Sequence, residues 1–215
     1  MKDVAIFGAG GFGREVACLI DRVNEANPQW NLIGYYDDNS EVWGKPVSHF
    51  GTCLGGIEAL NQYSKPLSVV IAIGNSIAVK KVVDKINNPN VDFPNLIHPN
   101  FKISDVESFR IGTGNIIQGG CNVTCDVTIG DFNVLNGSIV MGHDDKVGNF
   151  NTFMPAVRIS GGVTVGDFNF FGVGSIVLQQ IKIGNHVRLG AGSVLMRKPK
   201  DGFLYLGVPA KKIEL

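Results

Sequence analysis

Apolar residues recur at every sixth position through the second half of this 215-residue chain, without one interruption. The fifteen positions are Ile111, Ile117, Val123, Ile129, Leu135, Met141, Val147, Phe153, Ile159, Val165, Phe171, Val177, Ile183, Leu189 and Leu195. A six-residue period fits neither an α-helix nor a simple alternating strand. It is typical of hexapeptide arrays, in which three hexads make one triangular turn. The spacing therefore predicts a parallel β-helix.

Two further columns of residues give the length of one coil independently. Glycines recur every 18 residues at Gly112, Gly130, Gly148, Gly166 and Gly184. Phe132, Phe150 and Phe168 follow the same interval. We expect like residues to stack on successive coils, with glycine at the corners because it tolerates backbone angles closed to other residues. About five coils result, more than the three or so that repeat arrays usually need.

Composition narrows the classes of protein to which the chain can belong. The formal net charge is zero, which favours neither nucleic acid nor an anionic membrane surface as a partner. The cysteines lack C-x-x-C spacing, the N-terminus lacks a secretory signal pattern, and no run of apolar residues is long enough to span a bilayer. We expect a cytoplasmic protein.

The N-terminal third alternates strand and helix signals. Residues 4–7, 32–36 and 69–73 are predicted strands, and helical patterns follow at 16–23, 57–63 and 78–86. This alternation predicts a small parallel sheet, so the fold class is α/β followed by β. We assign residues 1–92 to a small Rossmann-like domain and residues 93–215 to the β-helix and its C-terminal tail.

A glycine-rich loop follows the first predicted strand. Gly8, Gly10 and Gly13 match the G-x-G-x-x-G spacing, and bare backbone lets a phosphate approach the N–H groups at a helix start. Asp37, at the end of the second predicted strand, is placed to accept hydrogen bonds from a nucleoside. The loop predicts a nucleotide ligand, with a ligand-free structural turn as the alternative. The sheet is too short to favour an intact NAD site.

Six motifs occur in a fixed order along the whole chain. They are the G-x-G-G-x-G-R opening, Tyr36-Asp37-Asp38, Ile73-Gly74-Asn75, Ile97-His98-Pro99, the hexapeptide array and Gly207-Val208-Pro209-Ala210. Together they resemble the sugar O-acyl- and N-acetyltransferases of the sialic acid and bacillosamine type, within the hexapeptide-repeat superfamily. The resemblance implies a left-handed β-helix, a homotrimer, a nucleotide sugar at the N-terminal domain and acetyl-CoA between adjacent β-helices. It also implies a role in glycan or polysaccharide biosynthesis.

The same resemblance implies two sets of binding residues. The nucleotide-sugar set is Gly8, Gly10, Gly11, Gly13, Arg14, Asp37, Asp38, Gly74 and Asn75. The acetyl-CoA set is Thr152, Gly161, Val173 and Ala191. Thr152 departs from the family pattern, because relatives often have a histidine there. The identity of the acyl group therefore stays open.

His143 is the candidate catalytic residue. It stands two places after Met141, outside the inward-facing column, and an outward position on a rigid coil suits a general base. The family's catalytic histidine, followed by an acidic residue, matches His143 and Asp144. Neutral imidazole can take the proton of a sugar amine or hydroxyl that attacks a thioester, while Asp144 orients the ring. The alternatives are that His143 is a solvated ladder residue and that Asp144 and Asp145 are plain turn residues. Gly161, one coil further on, is either a donor to the thioester oxygen through its N–H or a plain corner residue.

Two classes of function follow from the sequence. The first is an acyl-CoA-dependent transferase that acts by direct attack, without an acyl-enzyme, because neither Cys121 nor Cys125 neighbours a histidine in sequence. The second is a nucleotide-binding module with a non-catalytic β-helix that serves as a trimerisation scaffold. We expect no metal ion, because His143 and His186 are out of stacking phase. The choice between nitrogen and oxygen as the acceptor atom stays open.

Overall fold

The structure, a computed structural model, describes residues 1–214. Contacts within the chain divide it into two compact units, Met1–Pro99 and Asn100–Leu215, where the sequence placed the boundary at 92/93. The first unit is Rossmann-like and the second is a parallel β-helix, so the predicted fold class is confirmed. Within the described residues, no helix is long and apolar enough to cross a membrane.

The first unit has three α-helices and six β-strands, with a short 3-10 helix, Ser40–Val42, between β2 and β3. In chain order they are β1 (Lys2–Phe7), α1 (Gly11–Ala26), β2 (Trp30–Tyr36), β3 (Cys53–Gly55), α2 (Ile57–Asn61), β4 (Leu67–Ile71), α3 (Ser76–Lys85), β5 (Val91–Asp92) and β6 (Leu96–Ile97). Five of the strands form a parallel sheet in the order β3-β2-β1-β4-β5. The order reverses at β1, and open α/β sheets bind ligands at the carboxyl end of such a point.

Two glycines of the loop after β1 are required by packing. Gly8 has a φ of +117°, and a Cβ there would lie 2.5 Å from the Ala72 carbonyl oxygen. A Cβ on Gly13 would collide with the Gly8 carbonyl oxygen. Helix α1 therefore starts in close contact with the end of β1 and buries Val16 and Ile20.

The sequence located most elements of this unit but not all. The predicted strand 69–73 is β4, which begins and ends two residues earlier, and residues 91–97 contain two short strands. The structure has β5 and β6 there, with Pro94 between them, and proline cannot donate a ladder hydrogen bond. Strand β3 was not predicted, because three residues carry little periodic signal.

The second unit consists of short strands stacked in three parallel faces. One face contains Lys102–Ile103, Asn122–Val123, Val140–Met141, Arg158–Ile159, Ile176–Val177 and Val194–Leu195. The next contains Arg110–Ile111, Thr128–Ile129, Lys146–Val147, Thr164–Val165 and Lys182–Ile183. The third contains Ile116–Ile117, Val134–Leu135, Thr152–Phe153, Phe170–Phe171, Arg188–Leu189 and Leu204–Leu206, with Lys211–Ile213 antiparallel at its end.

The register of these faces agrees with the predicted coil length. Val123 pairs with Met141 and Met141 with Ile159, steps of 18 residues. Fourteen of the fifteen apolar positions of the six-residue column are buried, and Ile111 on the first coil is half-buried. The column therefore forms the core of the prism.

The column of glycines at 18-residue intervals has a different cause from the one predicted. None of its five members has a positive φ, so the explanation by backbone angle is wrong. A Cβ on Gly130 would lie 2.5 Å from Asn149 Oδ1, the atom that accepts the Asp131 N–H at 2.8 Å. The glycines thus make room for side chains that bond the backbone of the preceding coil.

Two side-chain columns join the coils inside and outside the prism. Inside, Asn151 donates its backbone N–H and its Nδ2 to Asn133 Oδ1 at 2.9 and 3.0 Å, and Asn169 binds Asn151 in the same way. At another position, Phe150 and Phe168 stack with their ring centroids 5.1 Å apart. Both columns repeat one contact from coil to coil.

Candidate active site

The turn between strands Val140–Met141 and Lys146–Val147 carries the predicted catalytic pair. Asp144 has a φ of +61°, a left-handed conformation that aspartate adopts more readily than most residues. Its Oδ2 lies 2.6 Å from His143 Nδ1. The two side chains are 66% and 64% exposed, so the pair is open to an incoming substrate.

The chemistry of the pair assigns the two ring nitrogens of His143. An ionised carboxylate only accepts hydrogen bonds, so Nδ1 carries the hydrogen and Nε2 keeps its lone pair. The hydrogen bond from His143 to Asp144, followed by the charge of Asp144, raises the pKa of His143 above its usual 6.5. Nε2 can therefore accept a proton, and the Asp144 carboxylate at Nδ1 stabilises the imidazolium that results.

Gly161 lies directly against the His143 ring. A Cβ on Gly161 would be 2.5 Å from Nε2 and 2.8 Å from Cδ2, a separation that real side chains do not adopt. Gly162 donates its N–H to the His143 carbonyl oxygen at 2.7 Å, whereas no hydrogen bond within residues 1–214 engages the Gly161 N–H. The basic nitrogen and an available amide donor thus share one small area.

Asp145, the next residue of the turn, was not singled out by the sequence. It is 0% exposed, its Oδ1 accepts the Val163 N–H at 2.8 Å, and its Oδ2 has no partner among the described residues. Burial raises the pKa of Asp145 from 3.8 to about 7. The signal was present in the sequence, because the same inward position on the coils before and after is occupied by Val127 and Val163.

In the first unit, Asp37 holds the glycine loop. Its Oδ2 accepts the Ala9 N–H at 2.8 Å and its Oδ1 accepts the Asn39 N–H at 2.9 Å. Trp43 Nε1 donates to the Asp37 carbonyl oxygen at 2.6 Å, a contact that the sequence did not suggest. The structure therefore brings the loop after β1 and the end of β2 together at one edge of the sheet.

Gly10 and Gly11 differ from the two packing glycines of the loop. A Cβ on Gly10 would meet no atom within 4 Å, and one on Gly11 would meet only Arg14 Nη2, at 3.8 Å. Open backbone at these positions leaves room for a ligand to approach the start of α1. Arg14 is exposed on the first turn of that helix.

The remaining predicted nucleotide-sugar residues have structural contacts of their own. Asp38 Oδ1 accepts the Ile57 N–H, at the start of α2, at 3.3 Å. Asn75 Oδ1 caps α3 by accepting the Ala78 N–H at 3.0 Å. Gly74 has open space at its Cβ position. The cap on α3 is enough to explain why residue 75 is an asparagine.

The predicted acetyl-CoA residues lie at separate places on the prism. Val173 is 48% exposed, and its carbonyl oxygen accepts the N–H of Gly192, which follows Ala191 on the next coil. These two residues occupy the corner between the third and first faces, whereas His143 occupies the corner between the first and second. Thr152 is buried in its strand and 8% exposed. In residues 1–214 no three His, Cys, Asp or Glu side chains gather at a possible metal site.

Proteins that join a small glycine-loop domain to a hexapeptide β-helix form a class of hexapeptide-repeat transferases, and known members resemble this chain over its length. Residues 3–86 match the family described as PglD N-terminal domain. PerB from Caulobacter crescentus, solved in complex with CoA and GDP-perosamine, is 30% identical over 100% of this chain and 98% of that one, with a TM-score of 0.82. The chain belongs to this family of sugar N-acetyltransferases.

Two further proteins resemble the chain, one in its fold and one in part of its sequence. WeeI from Acinetobacter baumannii shares the fold, with 23% identity, a TM-score of 0.87 and coverage of 99% of this chain and 100% of that one. The UDP-N-acetylbacillosamine N-acetyltransferase of Bacillus subtilis is 30% identical over 118 residues. That match covers 55% of this chain and 52% of the relative, so it spans about half the length of the curated relative.

Proposed function

We propose that this protein transfers an acetyl group from acetyl-CoA to an amine of a nucleotide-activated sugar in glycan or polysaccharide biosynthesis. The observation that carries the proposal is the 2.6 Å contact between His143 Nδ1 and Asp144, which leaves Nε2 beside Gly161. A relative 30% identical over the full length binds CoA and GDP-perosamine, and a second is named as a sugar N-acetyltransferase. Both relatives favour nitrogen over oxygen as the acceptor atom.

The proposed reaction is a direct transfer with His143 as general base. The sugar nitrogen attacks the thioester carbon while Nε2 takes its proton, and the carbonyl oxygen becomes negative. The Gly161 N–H donates to that oxygen, and Asp144 stabilises the imidazolium through Nδ1. The intermediate then collapses, the carbon–sulfur bond breaks, and the proton on Nε2 passes to the leaving sulfur to give free CoA thiol.

The state of Cys121 supports direct transfer over an acyl-enzyme formed on that thiol. Cys121 is 0% exposed, and burial raises the pKa of its thiol above the usual value. Its Sγ donates to the Asn136 carbonyl oxygen at 3.1 Å. A buried thiol with a raised pKa is a poor nucleophile, because the reactive form is the thiolate.

The nucleotide sugar is proposed to bind at the carboxyl edge of the first unit's sheet. The open backbone at Gly10 and Gly11 takes the diphosphate, with Arg14 nearby as a cation. Asp37 keeps further lone pairs on its two oxygens for a nucleoside group, beyond those that hold the loop. Asp38, Gly74 and Asn75 complete the proposed site by their position at the ends of β2 and β4, with Gly8 and Gly13 shaping the loop.

The acyl donor is proposed to bind between two copies of a homotrimer. His143 and the pair Val173 and Ala191 occupy different corners of one prism, so a single site containing all three would draw on two prisms. Thr152 takes the place where relatives often have a histidine. The cytoplasmic location stays a prediction, supported by four cysteines that are all free thiols.

A screen of acceptors and donors tests the proposal. The purified protein is mixed with acetyl-CoA or longer acyl-CoAs and with GDP- or UDP-linked sugars that carry either an amine or a hydroxyl at the same ring position. We expect release of CoA thiol with an amino sugar and acetyl-CoA. If the protein binds a nucleotide but no combination of acyl donor and sugar acceptor releases CoA thiol, the proposal is overturned. That result would favour a non-catalytic trimerisation scaffold.

A further inference from the structure

Asp145 breaks the pattern of the ladder to which it belongs. The corresponding inward positions are Val127 on the preceding coil and Val163 and Ile181 on the two following coils, all buried. Asp145 is the only carboxyl or basic side chain that is buried in residues 1–214. Valine on the adjoining coils indicates that the fold does not require a carboxyl here.

The carboxyl of Asp145 is only partly satisfied inside the prism. Oδ1 accepts the Val163 N–H at 2.8 Å, while Oδ2 is buried and has no hydrogen-bond partner among the described residues. A buried polar atom without a partner destabilises the fold, whether or not the carboxyl is ionised. The buried asparagines differ in this respect, since the side-chain oxygen of Asn151 accepts two bonds from Asn169.

The ionisable groups around Asp145 are few. On its own turn they are His143, whose charge lowers the pKa of Asp145, and Asp144, whose charge raises it. The corresponding turn of the preceding coil carries Cys125, half-buried, and Asp126, exposed. The turn of the following coil contributes Gly161, Gly162 and Val163, none of which titrates. Lys146 follows Asp145 in the chain and is exposed on its strand, so His143 is the one basic side chain that shifts the pKa of Asp145.

We propose that Asp145 is a positioning residue for acyl transfer, a carboxyl inside the coil that supplies a second counter-charge when His143 takes up the acceptor's proton. The proposal rests on His143 being the base of the proposed function. Asp144 is exposed and its charge is screened by water, whereas the charge of Asp145 acts through the protein interior and is screened less. The charge of Asp145 also raises the pKa of His143, after the hydrogen bond and the charge of Asp144.

The direct test is an NMR titration of His143 in the full-length protein. The chain has four histidines, so the His143 signal is assigned by its loss in His143→Gln. In Asp145→Asn, which removes the charge but keeps an oxygen for the Val163 N–H, we expect the midpoint to fall by on the order of half a pH unit, about a threefold change in proton affinity. An unchanged midpoint would overturn the proposal.

Asp167→Asn is the matched control. Like Asp145, Asp167 accepts a backbone N–H through Oδ1, although its donor, Asn149, lies on the preceding coil, at 2.6 Å. The same column already contains asparagine at positions 149 and 185, so the fold accepts the change. We expect the His143 midpoint to stay at its original value. Should Asp145→Asn fail to fold, Asp145→Val matches the adjoining coils, and the same fall in the midpoint is expected.

Kinetics separate this role from a purely structural one. In Asp145→Asn we expect the acid limb of the kcat/KM profile to move to lower pH and kcat to fall several-fold, with KM for both substrates unchanged. A structural role would lower the amount of folded protein without moving the limb. Full activity of His143→Ala would overturn the proposed function. The NMR titration tests separately whether Asp145 changes the proton affinity of His143, because it does not depend on turnover.

Discussion

Two residues, Asp144 and Gly161, determine the orientation of the His143 imidazole. The left-handed conformation of Asp144, with φ of +61°, turns its carboxylate back onto Nδ1. Gly161 on the next coil leaves the space that the other side of the ring occupies. The orientation of the base thus depends on one backbone conformation and on one missing Cβ.

Replacing Gly161 by alanine tests the second of these features. The φ of Gly161 is not positive, so alanine adds no backbone strain and acts only through its Cβ, 2.5 Å from Nε2. We expect kcat to fall by about 10- to 100-fold, because the base leaves its reactive position, while Tm changes little. Gly137→Ala is the control, since its Cβ would meet only the Gly119 carbonyl oxygen, at 3.4 Å. Equal activity of the two variants would contradict the packing of His143 on Gly161.

The pH dependence of stability tests the state of Asp145. Its pKa of about 7 in the folded chain exceeds the ordinary 3.8, so the folded state keeps a proton that the unfolded chain has released between these values. The stabilisation is complete below about pH 4 and is lost as the pH rises through about 7. Asp145→Asn lacks this dependence. We expect its free energy of unfolding, relative to the original protein, to increase by a few kcal/mol from about pH 4 to about pH 8, at about 1.4 kcal/mol per pKa unit.

Urea unfolding at several pH values measures that difference. Parallel stability curves for the two proteins would show that Asp145 is ionised throughout the range. The sequence singled out Asp144 because it follows His143 directly, and it gave no such reason for Asp145, which could be a plain turn residue. What distinguishes Asp145 is its buried column, in which the residues 18 positions before and after it are Val127 and Val163.

At the scale of strands and coils, the period of the sequence translates directly into structure. Steps of six and eighteen residues predicted the strands and their register, because every coil repeats the same contact. The cause of the glycine column was predicted wrongly. In the sequence, a glycine that makes room for a neighbouring coil looks the same as a glycine in a tight turn. Strand β3 in the first unit escaped prediction, because a strand of three residues carries no period.

The asparagine column offers a test at this scale. Asn151→Val removes two hydrogen bonds that Asn151 accepts from Asn169 and the two that its Nδ2 donates. We expect a loss of about 2 to 5 kcal/mol in the free energy of unfolding, because the buried Asn169 N–H is left without its acceptor. Asp167→Asn, in the more exposed column where asparagine already alternates, keeps the oxygen that accepts the Asn149 N–H and should change stability by less than about 0.5 kcal/mol. Similar losses in both variants, measured by urea unfolding, would exclude a special role for the buried column.

At the scale of the whole molecule, the two units divide the proposed binding of substrates. The first unit offers open backbone at a sheet edge, and the second offers the base and the corners of the prism. Motif order across the chain predicted this division, and the relatives match both halves. The motifs could not show that Asp38 and Asn75 also accept backbone N–H groups at the starts of helices. Aspartate and asparagine are common both at helix starts and in ligand-binding sites.

Asp37→Ala tests this division. Loss of the carboxylate frees the Ala9 N–H and loosens the glycine loop, so we expect KM for the nucleotide sugar to rise about tenfold or more and KM for acetyl-CoA to stay the same. Asp21→Ala, an exposed carboxylate on α1, is the control and should change neither constant. A rise in KM for acetyl-CoA alone would contradict the assignment of the nucleotide sugar to the first unit.

The central claim is that the His143 imidazole removes the acceptor's proton during attack on the thioester. Its most direct test is the rate of CoA thiol release by His143→Ala under saturating substrates, together with the binding of CoA measured by calorimetry. We predict that kcat falls by about 100-fold or more while CoA binds with its original affinity. Turnover at the original rate in that variant would contradict the account.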